Sequence, residues 1–383
     1  MAYQFRLTHR SLTGEIKRQS ITDFLSLQYS KKARDVGYLT FSLNGDHPTL
    51  DNLKDFDQFE VWWRNAELGV DWHRDFISIF REPDWRDDAE DQSVFETTCA
   101  GEKSILGWRQ IGWKSGIDER SKFSGVVAET AMKSLVTYNC TAAASVANGR
   151  LREGDLAASM GITIQVAPDK GSGNPISRSF ANGNLLRILQ ETLQPTAGGD
   201  FSLTRVAPSV WEFEFHPGQL GENKSVGDDK VVFSKSRGNM INVRYVIRRS
   251  DATTVAIVGG QNQGDERDYE IVTSPDFAAV GNDIEMYVDA RNEADAADLV
   301  QAGEAALYAK RAVKDMSFDV RQTPTTFYGP PVAGKRTYQV GDLVAAEHRD
   351  DEQVRFIAGV HVAVNVPGSE SPVVIKVATE DVV

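Results

Sequence analysis

The run Tyr38-Leu39-Thr40-Phe41-Ser42-Leu43-Asn44 alternates apolar and polar side chains, and Gly45-Asp46-His47-Pro48 ends it. Alternation with period two places one face of a strand in a core and the other outside it. Working outward, Phe59-Glu60-Val61-Trp62-Trp63-Arg64 and residues 70–80 flank Asn65-Ala66-Glu67-Leu68-Gly69, a hairpin loop closed by glycine. Residues 83–91 read as a charged turn, and Ser93-Val94-Phe95-Glu96-Thr97-Thr98-Cys99 as the next strand. The order predicts an antiparallel meander, half of a barrel or sandwich.

The same order returns at the far end of the chain. Residues 38–101 run strand, Pro-containing linker, strand, polar turn, long strand, turn, strand, and residues 316–380 repeat that sequence of elements. The repetition predicts two similar barrels in one chain.

Between the two repeats the period changes. Phe123, Val126, Val127, Thr130, Ala131 and Leu135 fall at helical spacings, residues 169–174 are a Gly- and Ser-rich loop, and Leu185, Leu186, Ile188, Leu189 and Leu193 suggest a second helix stopped by Pro195. Phe201-Ser202-Leu203-Thr204 and Val210 to Phe215 read as a hairpin. Further on, Asn292 can cap a helix whose apolar face carries Leu299, Gly303, Ala306, Leu307 and Val313. The expected fold is mainly β with an α+β insertion. Residues 1–115 form one antiparallel, tube-like β-barrel domain and residues 116–230 a middle α+β domain. Residues 231–383 form a second barrel domain with one helix over 292–314.

Composition narrows the function. Hydrophobic residues make up 41% of the 383 and charged residues 25%, an ordinary globular balance. No apolar run nears the eighteen or so residues of a membrane span, so no membrane anchor is expected, and the N-terminus lacks a secretory pattern. The protein is therefore expected to stay in the cytosol, or to leave by another route such as assembly into a particle released by lysis. A formal net charge of −13 argues against duplex DNA as a specific partner. Cys99 and Cys140 are too few for a disulfide framework or a four-cysteine zinc site and read as buried thiols.

No metalloprotease, nucleophile-elbow or phosphate-loop motif occurs. Gly259-Gly260-Gln261-Asn262-Gln263-Gly264 follows a strand, but another strand follows it, so a hairpin turn is expected where a phosphate site would need a helix N-terminus. Asp71, His73 and Asp75 alternate on one strand and could hold a divalent metal or activate a water; the plainer reading is a solvated strand face. Trp62, Trp63 and Trp72 could stack sugars, or could be core and interface residues. Acids are plentiful, yet none forms a recognisable pair of the muramidase kind.

Several motifs in order carry a family resemblance. They are Ser236-Arg237-Gly238-Asn239 leading into a strand, Val258-Gly259-Gly260-Gln261 through Gly264-Asp265-Glu266-Arg267, and Tyr287-Val288-Asp289-Ala290-Arg291 before a helix ending near Gly303. Tyr338-Gln339-Val340-Gly341-Asp342-Leu343-Val344 completes the set. Together they resemble tail proteins of long-tailed, non-contractile phages, a family similar in fold to the central hub of contractile-tail baseplates. The resemblance implies a structural virion protein of the tail tip, a homotrimer without catalytic residues or cofactor. Such a hub joins the tail tube or distal tail protein above to spike, fibre or receptor-binding proteins below. It closes the tube, then lets genomic DNA through during genome ejection. The motif residues read as structural: Gly259, Gly260 and Gly264 for positive φ or a bulge, Asp289 and Arg291 tying a strand end to a helix start, Gly341-Asp342 opening a strand. A tail-associated cell-wall hydrolase and a peripheral receptor-binding protein stand as alternatives.

Overall fold

The structure, a computed structural model, describes residues 3–87, 93–117, 121–180, 182–261, 267–275, 283–293, 295–348, 351–364 and 373–381. Eight strands occupy the first hundred residues: β1 (Gln4–Arg10), β2 (Ile16–Ile21), β3 (Ser26–Lys32), β4 (Tyr38–Asn44), β5 (Gln58–Asn65), β6 (Val70–Ile79), β7 (Pro83–Asp87) and β8 (Ser93–Gly101). The stretch expected as a charged turn after residue 83 is therefore in part a strand. Its alternation is masked by charge, and it becomes a strand because β8 supplies hydrogen-bonding partners from Pro83↔Thr97 to Asp87↔Ser93.

The middle of the chain holds β9 (Gln110–Gly112), β10 (Lys122–Val127), the helix Ala128–Cys140, the short helix Leu156–Met160, β11 (Thr163–Val166), β12 (Pro175–Ser179) and β13 (Asn182–Asn184). A turn of helix at Leu185–Arg187 then widens into a π turn over Ile188–Leu193, and the hairpin β14 (Gly199–Ala207) and β15 (Val210–Pro217) follows. The first helix starts later than the spacing of Phe123, Val126 and Val127 suggests. Those residues lie on β10, which pairs with β12, and Gly125 at φ +64 interrupts any right-handed turn there.

The last third contains β16 (Val232–Ser234), β17 (Met240–Arg248), β18 (Val255–Gly259), β19 (Tyr269–Thr273), β20 (Glu285–Asp289), the helix Ala296–Ala309, β21 (Val313–Val320), β22 (Thr326–Tyr328) and β23 (Arg336–Tyr338). It closes with β24 (Leu343–His348), β25 (Asp351–Val364) and β26 (Val373–Asp381). The helix is shorter than 292–314: Asp295 is its N-cap, Asn292 stays in a turn, and Val313 already belongs to β21. Strand pairing of Val313 with Arg248 competes with and ends the helical run. Strands β18, β19 and β20 with that helix make a small lobe whose core is Ala256, Val258, Val272, Leu299, Ala302 and Leu307.

Antiparallel pairing dominates a fourteen-stranded sheet that unites the two ends of the chain, in the order β17-β21-β26-β25-β3-β4-β8-β6-β5-β1-β2. The joint is β25 against β3, from Gly359↔Lys32 to Val364↔Leu27. One core follows from it: Leu7, Phe41, Phe59 and Phe95 pack in the same cluster as Phe233, Phe318, Val344 and Phe356. Each such side chain, fully buried, contributes roughly 1.5–3 kcal/mol. A second core belongs mostly to the insertion, but it draws Ile77, Ile79, Ile105, Leu106 and Ile111 from before residue 116.

Pairing order, and not only element order, repeats. Strands β3, β4, β8, then β6 continuing into β7, then β5 have as counterparts β17, β21, β26, β25 and β24, each antiparallel to its neighbour.

Candidate functional site

Strand β6 carries Asp71, His73 and Asp75, but the three side chains serve different surroundings. Asp71 is exposed and accepts the backbone N–H of Trp72 at 2.7 Å. His73 sets its ring edge against Trp63, centroids 4.1 Å apart, and burial lowers its pKa. Asp75 is a buried node. It accepts hydrogen bonds from the Tyr29 hydroxyl at 2.5 Å, the Tyr328 hydroxyl at 2.8 and 2.9 Å, and the Trp63 indole at 3.3 Å. Lys31 lies 3.4 Å away. Burial pushes the Asp75 carboxyl up, but the Lys31 charge and the two hydroxyls outweigh it and hold it below its ordinary range. Among the described residues no three His, Cys, Asp or Glu side chains are placed to hold a metal ion. Because Tyr29 lies on β3 and Tyr328 on β22, this carboxylate ties the two ends of the chain together.

Beside the node, a cleft of about 650 Å³ opens between the N-terminal strands, the β14–β15 hairpin and the segment that follows it. Its walls include Lys31, Arg74, Glu102 and Lys103 from the N-terminal strands, Arg205, Glu212, Glu214 and His216 from the β14–β15 hairpin, and Lys224 and Asp342 beyond it. Under its floor, the buried Glu60 carboxylate contacts Arg205 and lies 2.9 Å from Arg10 and 3.7 Å from Arg74. Burial raises the Glu102 carboxyl above its ordinary value and lowers Lys103 to about 8. Lys103 gives its ammonium hydrogen to the Ala33 carbonyl. The ion pairs of Glu60 with Arg205 and Arg74, and of Lys224 with Asp342, make the cleft chemically a joint between the large sheet and the β14–β15 hairpin.

Sequence reasoning did not find this cleft. Glu60 alternates like a solvent-facing residue, and its partner Arg205 lies on another sheet. Nothing in the alternation marks it: Gln58 and Glu60 fall on the polar phase of β5, yet both are fully buried.

Among the motif residues, Arg237-Gly238-Asn239 is a turn between β16 and β17. Gly238 has φ +67, and the Asn239 side chain accepts the Ser234 N–H at 3.0 Å and donates to the Val232 carbonyl at 2.9 Å. Of the positive φ or bulge expected at Gly259 and Gly260, neither residue has positive φ, and β18 pairs through Gly259 with β19 and β20 without a register shift. Their need for glycine is room, since a Cβ on Gly259 would lie 2.4 Å from the Tyr287 hydroxyl and 2.8 Å from the Arg267 side chain. Gly264 lies outside the described residues. Arg267 donates to the Gly260 carbonyl at 3.0 Å, the Gly259 carbonyl at 2.9 Å and Asp289 at 2.6 Å. Asp289 also takes a two-pronged contact from Arg291, and these guanidinium bonds hold its pKa down to about 2. Through Arg267, Asp289 therefore ties the end of β20 to Gly259 and Gly260, Arg291 stays local to Asp289, and the helix starts later, with Asp295 at its N-cap. Asp342, after Gly341 at φ +97, accepts the backbone N–H groups of Glu222 and Gln339, each at 2.8 Å, just before β24 begins. The tryptophans divide: Trp63 is buried, whereas Arg6 stacks on both Trp62 and Trp72, at 5.2 and 4.5 Å from the ring centroids.

Comparison with known proteins gives these motifs a home. The model of the Siphovirus ReqiPepy6 Gp37-like protein family matches residues 12–370. The chain belongs to that family. The Gp37-like chain also shares its fold with phage tail proteins of known structure. The tail protein from Neisseria meningitidis MC58 has TM-score 0.59 at 10% identity, with 99% of this chain and 97% of that one covered. The 43 kDa tail protein of prophage MuSo2 from Shewanella oneidensis has 0.58 at 12% identity, covering 99% and 98%. Prophage tail protein gp18 from Listeria monocytogenes EGD-e has 0.54 at 11% identity, covering 97% and 94%. No protein of curated function matches this Gp37-like sequence. The similarity is to phage tail structural proteins, in a mainly β fold.

Proposed function

We propose that the chain is the hub of the tail tip, a homotrimer that joins the tail tube or distal tail protein to the tip proteins and surrounds part of the DNA channel. The observation that carries this reading is the repeated pairing order, β3-β4-β8-β6/β7-β5 and β17-β21-β26-β25-β24. Two tube-like units in each of three chains would present six similar units to a six-fold tube and three identical faces to a trimeric tip. On this reading residues 1–115 and 231–383 are the two units, each completing a barrel only in the ring, and residues 116–230 stand as the decoration between them. Its partners are further copies of itself, the tube above, and spike, fibre or receptor-binding proteins below. DNA is a partner only in transit, and the net charge of −13 suits a channel that must not hold a phosphate backbone. The work assigned is structural, at the tip of the virion, and the motif residues serve folding and not catalysis.

Native mass spectrometry of the purified protein and cryo-electron microscopy of the particle test this. The expected result is a three-chain species with two superposable units alternating around an open channel. A single unit per chain, or a six-chain ring, would overturn it. Clearing of host cell wall that a single carboxylate replacement abolishes would instead favour a hydrolase.

A further inference from the structure

Two of the strand edges left open among the described residues, those of β7 and β17, are counterparts in the internal repeat of a seam that is already closed. Inside the chain, β25 pairs along one edge with β26 and along the other, over 359–364, with β3. The counterpart of that half of β25 is β7, and β7 pairs only with β8. The counterpart of β3 is β17, which pairs only with β21. We infer that β7 of one copy pairs antiparallel with β17 of a second copy of this chain, repeating between chains the β25–β3 seam found within one.

The register follows from the two halves. Phe41↔Thr97 and Phe318↔Val377 are equivalent core pairs. Counting from them, Trp85 opposite Phe95 corresponds to Val362 opposite Ile375, and Tyr245 opposite Met316 corresponds to Tyr29 opposite Leu39. Val362 faces Tyr29 across the closed seam. Trp85 must therefore face Tyr245 of the second copy, Asp84 face Val246, and Arg86 face Arg244.

Burial agrees with this register. In the closed seam Val362 is 1% exposed and Tyr29 0%, whereas Trp85 is 54% exposed. Trp85 sits on a strand whose five residues are all exposed and whose outer edge is unpaired among the described residues, the kind of edge a second chain can cover. Beside β17 a cavity of about 910 Å³ is lined by Val243, Arg244, Tyr245, Met316, Ala346 and His348, so an indole facing Tyr245 would have room there. An aromatic pair across antiparallel strands adds about 0.2–1 kcal/mol to the backbone ladder. On the other face Asp84 lies diagonal to Arg244, which offsets the like charge of Arg86, already held by Asp84 at 2.6 Å.

This contact is heterologous, so copies joined by it form a ring if the rotation closes and a filament if it does not. Three-chain closure rests on the hub reading; the pairing of β7 with β17 does not.

The test uses the full chain carrying both Asp84→Cys and Val246→Cys. Facing residues in an antiparallel pair have Cα atoms about 4.5–5.5 Å apart, within disulfide reach. The native cysteines do not interfere, since both are buried and burial pushes each thiol up to about 12. Mild oxidation should give covalently linked chains on a non-reducing gel, ending at three times the 42.3 kDa chain mass, and neither single variant should. Separately, Trp85→Arg should drop the native mass from three chains to one while the far-UV circular dichroism stays that of the parent, since β7 is exposed within the single chain. Absence of linked chains, or a Trp85→Arg mass that stays at three, overturns the seam. A three-chain assembly without cross-links would sink the seam and leave the hub reading standing. A ladder running past three chains would keep the seam and sink the three-chain ring.

Discussion

Replacing Asp75 with Asn keeps the shape of the side chain and removes its charge. The carboxylate accepts from Tyr29, Tyr328 and Trp63, so the change replaces charge-assisted bonds by neutral ones and turns one acceptor into a donor facing hydroxyls. Hydrogen bonds to a charged group are worth about 1.5–3 kcal/mol net and neutral ones about 0.5–1.5, while a buried group left unpaired costs about 1–3. The Lys31 contact adds little, since its side chain is 31% exposed. The expected loss is about 2–5 kcal/mol. The acid dependence has a definite sign. The folded-state pKa of Asp75 is depressed, so its contribution is complete above the unfolded value near 3.8 and is lost as pH falls through the folded value. Guanidinium unfolding followed by tryptophan fluorescence, at neutral pH and down through pH 3, measures both effects. The Asn variant should be weaker at pH 7 and show a shallower acid limb than the parent. A double-mutant cycle with Tyr328→Phe should give a coupling of about 1–2 kcal/mol, because the two side chains are in contact. A loss under about 0.5 kcal/mol at pH 7, or superimposable acid limbs, would refute the account of Asp75 as the tie between the chain's ends.

Glu60→Gln should cost about 3–5 kcal/mol, since it leaves Arg205, itself buried, without its countercharge; thermal unfolding would measure it, and a loss below 1 kcal/mol would contradict the buried network. Glu102→Gln should act in the opposite direction. Burial raises the folded pKa of Glu102, so ionisation costs stability; the cost is absent below the unfolded value near 4.5, grows as pH rises from there toward the folded value, and is complete above it. The variant's thermal midpoint should exceed the parent's at pH 8 and match it near pH 4; a lower midpoint at pH 8 would contradict this. Gly259→Ala should loosen the small lobe by about 1–3 kcal/mol through overpacking against Tyr287 and Arg267. Hydrogen exchange should quicken in 255–259 and 296–309 and stay unchanged in β4 and β8; uniform change, or none, would contradict local packing.

Residue alternation by itself determined the strands at Tyr38–Asn44, Gln58–Asn65, Val70–Ile79 and Ser93–Gly101, and their recurrence in order near the C-terminus. It also determined the helix around Leu299 and Leu307 and the hairpin β14–β15, because period two and period 3.6 are local properties of a chain with one buried face. Periodicity failed where a neighbour overruled it: Lys122–Val127 became a strand beside β12, and Pro83–Asp87 became one beside β8. Partner choice was beyond its reach altogether. Alternation states that a strand has an inner face but not which strand lies beside it, and any antiparallel neighbour satisfies the same backbone groups. Only the tertiary structure brought β25 against β3, Asp75 between Tyr29 and Tyr328, and Glu60 under Arg205. Each of these is a contact between residues distant in the chain, made because a buried polar group must find its partner wherever the fold places one.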